Sequence, residues 1–381
     1  MIDRQELHQR FSEFYGTVPH LFGAYGRVNL IGEHTDFNGG FVLPAALDRE
    51  TVVAAVKRED RIIRVRSLNL SKGEEIDLDA PQQKLRGSWL DYVEGVARVL
   101  EQRGHTLNGA DLLILSDVPS GAGLSSSAAL EVSVGLALSE MSGHKIERKE
   151  LALIGQQAEH EFVGAKVGIM DQFVAALGRP GQALLIDCRD LTSEAVSFDT
   201  ERAVIVICNT GVKHSLASSE YNVRRHECEE GVRLLREFMP GIEYLRDVSS
   251  ADLALYGNKL PEVIRKRVRH IVTENERTLK AAKVLADSDF EKFGEYMRQS
   301  HSSLRDDFEV SCDELNVMAE IAGTLPGVYG ARMTGGGFGG STVNLVGREN
   351  VDEFTARILP EYEKRTGREG TIYIVDPSHD A

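Results

Sequence analysis

The chain has 381 residues, 42% of them hydrophobic and 27% charged, a make-up that fits an ordinary globular protein of about two domains. Its 44 basic and 59 acidic side chains leave a formal charge of -15, which argues against a general phosphate-backbone binder while leaving room for a local anion site. Cys188, Cys208, Cys228 and Cys312 lie too far apart for a CxxC clip or a zinc pattern. The amphipathic start "MIDRQELHQRFSEFYG" lacks the apolar centre of a signal peptide, and no apolar run approaches the roughly 20 residues that span a bilayer. These features predict a cytoplasmic protein with neither membrane nor nucleic acid as a partner, working as a monomer or weak oligomer.

In chain order, "TVVAAV" (51–56) and "IIRVRS" (62–67) predict strands joined by a charged turn. "WLDYVEGVARVLEQRG" (89–104) repeats apolar residues at helical spacing and stops at Gly104. "ADLLILSDV" (110–118) reads as extended, "SSSAALEVSVGLALSEM" (125–141) as a mostly buried helix, and "KELALIGQQAEHEFVG" (149–164) as a further helix. The polar stretch "CRDLTSEAVSFDTER" (188–202) reads as a loop and suggests a boundary between domains at 1–195 and 196–381. Beyond it come a strand at 202–210, helices at 218–238, 261–286 and 289–304, a strand at 341–346, a helix at 351–367 and a strand at 371–375. That order is mixed α+β, without a sustained βαβ alternation.

Three constellations carry chemistry. In "DVPSGAGLSSSAALEV" (117–132) a strand runs through a two-glycine loop into a helix, and the free N–H groups at a helix start suit nucleotide phosphates. A glycine turn with an ordinary serine cap has the same pattern, and the loop lacks the lysine of a Walker motif. In "GQQAEHEFVGAKVGIMDQF" (155–173), Asp171 sits between apolar neighbours as a candidate base, and Glu159 offers the oxygen ligand Mg²⁺ prefers. Equally, Asp171 fits a helix cap and Glu159 a solvated helix face. In "GARMTGGGFGGS" (330–341), five of the six residues 335–340 are glycine, which points to close approach by a ligand or by another glycine loop.

Together these fit phosphoryl transfer from a nucleotide to a hydroxyl, which needs positioning, charge neutralisation and a proton acceptor. The stretch "GRVNLIGEHTDFNGG" (26–40) then supplies Glu33, His34 and Asp36 at a spacing suited to several sugar hydroxyls, with Arg27 as a counter-charge for Asp171.

On these residues the chain resembles the GHMP small-molecule kinases, and among them the galactokinase family. "GRVNLIGEHTDFNGGFVLP" resembles that family's signature, "VPSGAGLSSSAALE" its phosphate loop and "RMTGGGFGGS" its C-terminal glycine motif, with "GIMDQF" and "HSLASSEYNVRR" also similar. The resemblance implies an N-terminal domain like that of ribosomal protein S5, a ferredoxin-like C-terminal domain and an active site between them. It implies ATP and Mg²⁺, with a sugar phosphorylated at its C1 hydroxyl. Asp171 is then the catalytic base, with Arg27 beside it. Glu33, His34, Asp36, Asp171 and Tyr221 bind the sugar. Gly121, Ala122, Gly123, Leu124, Ser125, Ser126 and Ser127 wrap the phosphates, Trp89 lies near the adenine, and Ser127 and Glu159 hold the metal. Trp89 fits an aromatic anchor at a helix start as well, and Lys213 falls where some relatives carry an arginine.

Three positions depart from the family pattern: Tyr25 replaces a proline, Phe37 a tyrosine and Ser341 a cysteine. Kinases for N-acetylgalactosamine, arabinose or galacturonate share much of the signature, and a non-catalytic galactose sensor on the same fold is a further alternative. The intact "SSSAA", together with Arg27 and Asp171, favours an enzyme.

Overall fold

A computed structural model describes residues 2–212 and 217–375. Its first half holds β1 (His20–Ile31), β2 (Phe41–Lys57), β3 (Ile62–Ser67), β4 (Lys72–Asp77), β5 (Ala110–Ser116), β6 (Ala183–Asp187) and β7 (Thr192–Val196). They form one seven-stranded sheet in the order β4-β3-β5-β2-β6-β7, with β1 paired to β2. The run 51–56 is apolar at every position except Thr51 because both faces of β2 are covered. Val53 and Ala55 pack under α2 (Leu90–Gln102), α3 (Ser126–Met141) and α4 (Arg148–Ala158). Val52 and Ala54 instead face Leu7 and Phe11 of the N-terminal helix α1 (Arg4–Tyr15). Alternate residues of one strand thus enter two cores. A short helix, α5 (Met170–Leu177), packs behind β1 and β2.

The second half is a four-stranded antiparallel sheet of β8 (Ala203–Asn209), β9 (Val328–Thr334), β10 (Ser341–Gly347) and β11 (Thr371–Val375). Its spatial order is β11-β8-β10-β9. With helices between β8 and β9 and again between β10 and β11, this is the βαββαβ topology of ferredoxin-like domains. Between β8 and β9 run α6 (Ala217–Leu235), α7 (Ser250–Tyr256), α8 (Glu262–Ala286), α9 (Phe290–Ser303) and α10 (Asp313–Thr324). A final helix, α11 (Val351–Thr366), leads into β11. One apolar core crosses between the halves, joining Val28, Leu30 and Leu43 to Ile205, Ile207, Val343 and Leu345. The cleft between the two sheets therefore has a packed floor.

Three expectations need correction. The stretch 188–202 is not all loop: β7 lies inside it, paired with β6. Thr192, Ser193 and Glu194 are exposed there, so this edge strand shows no apolar pattern. The helix expected over 149–164 keeps α geometry only to Ala158 and continues as a π turn, Glu159–Val163. The glycine-rich stretch is strand as far as Thr334, and only then loop.

Candidate active site

The loop after β1 is shaped by backbone and held from the opposite domain. Gly32 and His34 both have positive φ, 102° and 64°, and a short 3₁₀ turn at Asp36–Asn38 follows. A left-handed histidine is strained, and such strain concentrates at functional sites. Helix α8 pays for it: Glu274 accepts from the Gly32 N–H at 3.0 Å, Asn275 from the Phe41 N–H at 2.8 Å, and His270 Nε2 meets the Glu33 carbonyl at 3.1 Å. Buried Glu274 is held down to about 2 against its desolvation, mainly by Arg277.

Arg27, Glu33, His34, Asp36, Gly121, Gly123, Asp171 and Tyr221 line one cavity of about 470 Å³, roofed by Gly335 to Gly340. Arg27 clasps Asp171 with two parallel bonds, Nε to Oδ1 at 2.8 Å and Nη2 to Oδ2 at 2.7 Å, and its third nitrogen donates to the Gly123 carbonyl at 2.7 Å. Glu33 accepts from the Gly335 N–H at 2.8 Å and from fully buried Arg332 at 3.4 Å. The His34 ring lies against Tyr221 and Phe308, at 5.3 and 4.7 Å, with Nε2 buried and unpartnered. Burial lowers His34 to about 3, so its ring is neutral near pH 7. Phe37, the replacement for a tyrosine, stands edge-on to Tyr221 at 5.6 Å.

Asp36 is pressed against the backbone of Gly168: a Cβ built there would meet Asp36 Oδ2 at 1.7 Å. Desolvation, then repulsion from Asp171, raises Asp36 to about 6. Its ionised form is the stronger hydroxyl acceptor, so kcat/KM for the sugar is expected to climb as pH rises through about 6 and then level off. The stability effect has the opposite sign. Between 3.8 and about 6 the folded chain keeps a proton that the unfolded chain has lost, so this group's contribution falls as pH rises across that window. A pH series of initial rates on the parent and on Asp36→Asn checks both the limb and its owner, because the variant lacks the limb.

The phosphate loop forms the wall between this cavity and a second one of about 460 Å³, lined by Trp89, Tyr92, Pro119, Ser120, Ser126, Ser127 and Leu130. Trp89 is thus both at the start of α2 and on the wall of the second cavity. The loop's serine is not an ordinary cap. Ser125 holds the N-cap position of α3 in a left-handed conformation and makes no capping bond. Its hydroxyl goes to Asp171 Oδ2 at 2.5 Å, which leaves first-turn N–H groups of α3 without a side-chain cap. Ala122 and Leu124 turn their side chains into the core, while their carbonyls accept from Ser341 Oγ at 2.6 Å and from the Arg27 N–H at 3.1 Å. The hydroxyl of Ser341, in place of a cysteine, thereby ties β10 to the phosphate loop. The two glycine loops also touch: a Cβ at Gly335 would lie 3.4 Å from the Gly123 carbonyl oxygen.

Asp171 is no cap; it stands in the first turn of α5, one residue before buried Gln172. Glu159 is on no solvated face. It is 7% exposed, and the Gln172 amide nitrogen donates to it at 2.8 Å and to Glu131 at 2.9 Å. Desolvation pushes both carboxyls up from their ordinary range, and each also feels Asp171. Arg27 is the cation that bears on Glu159. This region is short of positive charge, which suits a divalent ion carried on nucleotide phosphates and needing one or two carboxylates. Among the described residues no group of three or more His, Cys, Asp or Glu forms a self-sufficient metal cage. Glu131, Gln172 and Arg332 lie inside the quoted motifs but had no role assigned to them there, Glu274 lies in none of the motifs, and Lys213 lies outside the described residues.

Comparison with known proteins identifies the family. The galactokinase galactose-binding signature matches residues 9–57, the GHMP kinase N-terminal domain residues 91–179 and the GHMP kinase C-terminal domain residues 281–364. Galactokinase from Chloroflexus aggregans is 53% identical over 369 residues, covering 97% of this chain and 94% of that one. The Roseiflexus sp. galactokinase is 49% identical over 98% of this chain and 95% of its own. The crystal structure of Lactococcus lactis galactokinase complexed with galactose superposes with a TM-score of 0.93 at 37% identity, over 98% and 97% of the two chains. Mevalonate kinase from Methanococcus jannaschii, 18% identical with a TM-score of 0.65 over 94% of this chain and 98% of its own, shares the fold. The chain belongs to the galactokinase family of the GHMP kinases.

Proposed function

We propose that this chain is an ATP-dependent sugar kinase that phosphorylates the C1 hydroxyl of galactose, giving galactose 1-phosphate and ADP. The observation that carries this reading is the bidentate Arg27–Asp171 pair, set beside the phosphate loop where the two cavities meet. Asp171 accepts the proton of the attacking hydroxyl, and Ser125 and Arg27 fix its carboxylate orientation. Arg27 also faces the charge that develops on the transferred group. Glu33, Asp36 and neutral His34 receive sugar hydroxyls, and Tyr221 closes that side. The N-terminal turn of α3 and residues 121–127 cradle the phosphates, with Trp89 beside the base. Ser127 and Glu159 hold Mg²⁺, which when bound neutralises phosphate charge. We place the division between domains at 195/196, one residue before the end of β7 at Val196 and ahead of the start of β8 at Ala203.

The test is ADP release from ATP and Mg²⁺ over galactose, N-acetylgalactosamine, arabinose, galacturonate and glucose. Turnover with galactose far above the others supports the assignment. Preference for another sugar moves the substrate, and binding of galactose with no turnover on any sugar removes the kinase reading.

A further inference from the structure

Glu131 comes from α3, Gln172 from α5 and Glu159 from the π turn that continues α4, and the three meet in one buried contact. Gln172 is 0% exposed and Glu131 1% exposed. The amide nitrogen of Gln172 donates to both carboxylates, at 2.9 and 2.8 Å. Meanwhile Glu131 Oε1 and Gln172 Oε1 are buried without any partner. Room for this contact comes from Gly155 on α4, where a Cβ would stand 3.1 Å from Gln172 Cγ and 3.2 Å from Glu131 Oε2.

A fold gains nothing from this arrangement by itself. Two carboxylates removed from water need compensating charge, and a neutral amide supplies none. An arginine between them would balance the charge, yet it would also compete with any incoming cation. An amide holds both groups in place and leaves their charge uncancelled. The helix register adds direction: Glu131 is four residues after Ser127 on α3, so the two share a face. Gln172 directly follows Asp171, so one turn of α5 carries both the proposed base and the clamp.

We propose that Glu131 and Gln172 are positioning residues of the divalent-cation site. Gln172 orients Glu159, and the charge of Glu131 behind it raises the affinity for the ion. This rests on the reading of Ser127 and Glu159 as the ligands. The role of Glu131 is electrostatic, so an isosteric neutral replacement removes it while keeping the shape.

Mn²⁺ serves as the probe. Its binding to the full chain in the presence of a non-hydrolysable ATP analogue is followed by the loss of the free-ion paramagnetic resonance signal. Glu131→Gln is expected to weaken Mn²⁺ binding about tenfold or more, the range found when groups behind a metal ligand are removed. Glu131→Asp, which keeps the charge, recovers most of the affinity. Without cation, Glu131→Gln is expected to melt close to the parent, because an amide replaces a carboxyl whose burial already disfavours the anion, and saturating Mn²⁺ raises the parent's melting temperature more than the variant's. A purely structural triad moves the melting temperature down and leaves Mn²⁺ affinity alone, which overturns the proposal. If Glu159→Gln loses affinity and Glu131→Gln does not, Glu131 has no part in a cation site that itself stands. If neither variant loses affinity, the ligand reading has failed, and this inference with it.

Discussion

Asp171→Asn is expected to lower kcat on galactose by about 10²–10⁴-fold, the usual worth of a positioned general base. Galactose binding should change by less than about tenfold, since an amide still offers one oxygen to a hydroxyl. The distinction follows from the geometry. Both oxygens of Asp171 are already engaged, Oδ1 by Arg27 Nε and Oδ2 by Arg27 Nη2 and Ser125, so the carboxylate is held in one orientation before substrate arrives. An asparagine turns an NH₂ toward the guanidinium or the serine and loses the basic site. Rapid-quench measurement of the chemical step, with galactose affinity from calorimetry, separates the two effects. Arg27→Met is expected to cost comparably, and the double variant far less than the product of the singles, because the pair acts as a unit. A loss confined to galactose binding, with kcat intact, would remove Asp171 from the chemistry.

Gly168→Ala is the second large effect, and it falls on binding instead. A Cβ at Gly168 would stand 1.7 Å from Oδ2 and 2.0 Å from Cγ of Asp36, so the carboxylate must leave its place. Gly168 does not have positive φ, so alanine imposes no backbone strain there. What moves is a side chain, and the fold keeps its stability. KM for galactose is expected to rise about 10–100-fold, the worth of one lost charge-assisted hydrogen bond. The melting temperature should stay within about 2 °C of the parent. Steady-state kinetics and a thermal melt on one preparation suffice. An unchanged KM would mean that Asp36 makes no essential contact with the sugar.

The motifs that were legible in the sequence are those whose chemistry is local. A glycine loop running into a helix, the cluster Glu33, His34 and Asp36, and Asp171 between apolar neighbours each sit within a few residues, so type and spacing were enough to nominate them. Where local pattern and tertiary context diverged, the reading left alternatives or failed. Ser125 has the sequence of a helix cap, but its hydroxyl is taken by Asp171, which only the docking of α5 beside the phosphate loop brings within reach. Glu159 reads as a solvated acid because its helix is polar, yet the π turn and the packing of α2 over it leave it buried. The strand β7 was missed because it sits at a sheet edge, where polar side chains face water.

The sequence by itself determined the strand or helix type of many elements, though not of β4, β6, β7, β9, α7 or α10, together with the two-domain kinase resemblance and the reactive groups, since propensity, periodicity and motif spacing act over short stretches of chain. Tertiary structure alone decided which of those groups meet. The Arg27–Asp171 clasp joins residues separated by 144 positions, and the Glu33–Arg332 contact joins residues separated by 299. Only tertiary structure, likewise, pairs Glu131 with Glu159 through Gln172 and sets α8 behind the sugar loop. These are contacts between elements that pack for hydrophobic reasons, and burial, charge and orientation at the site follow from that packing.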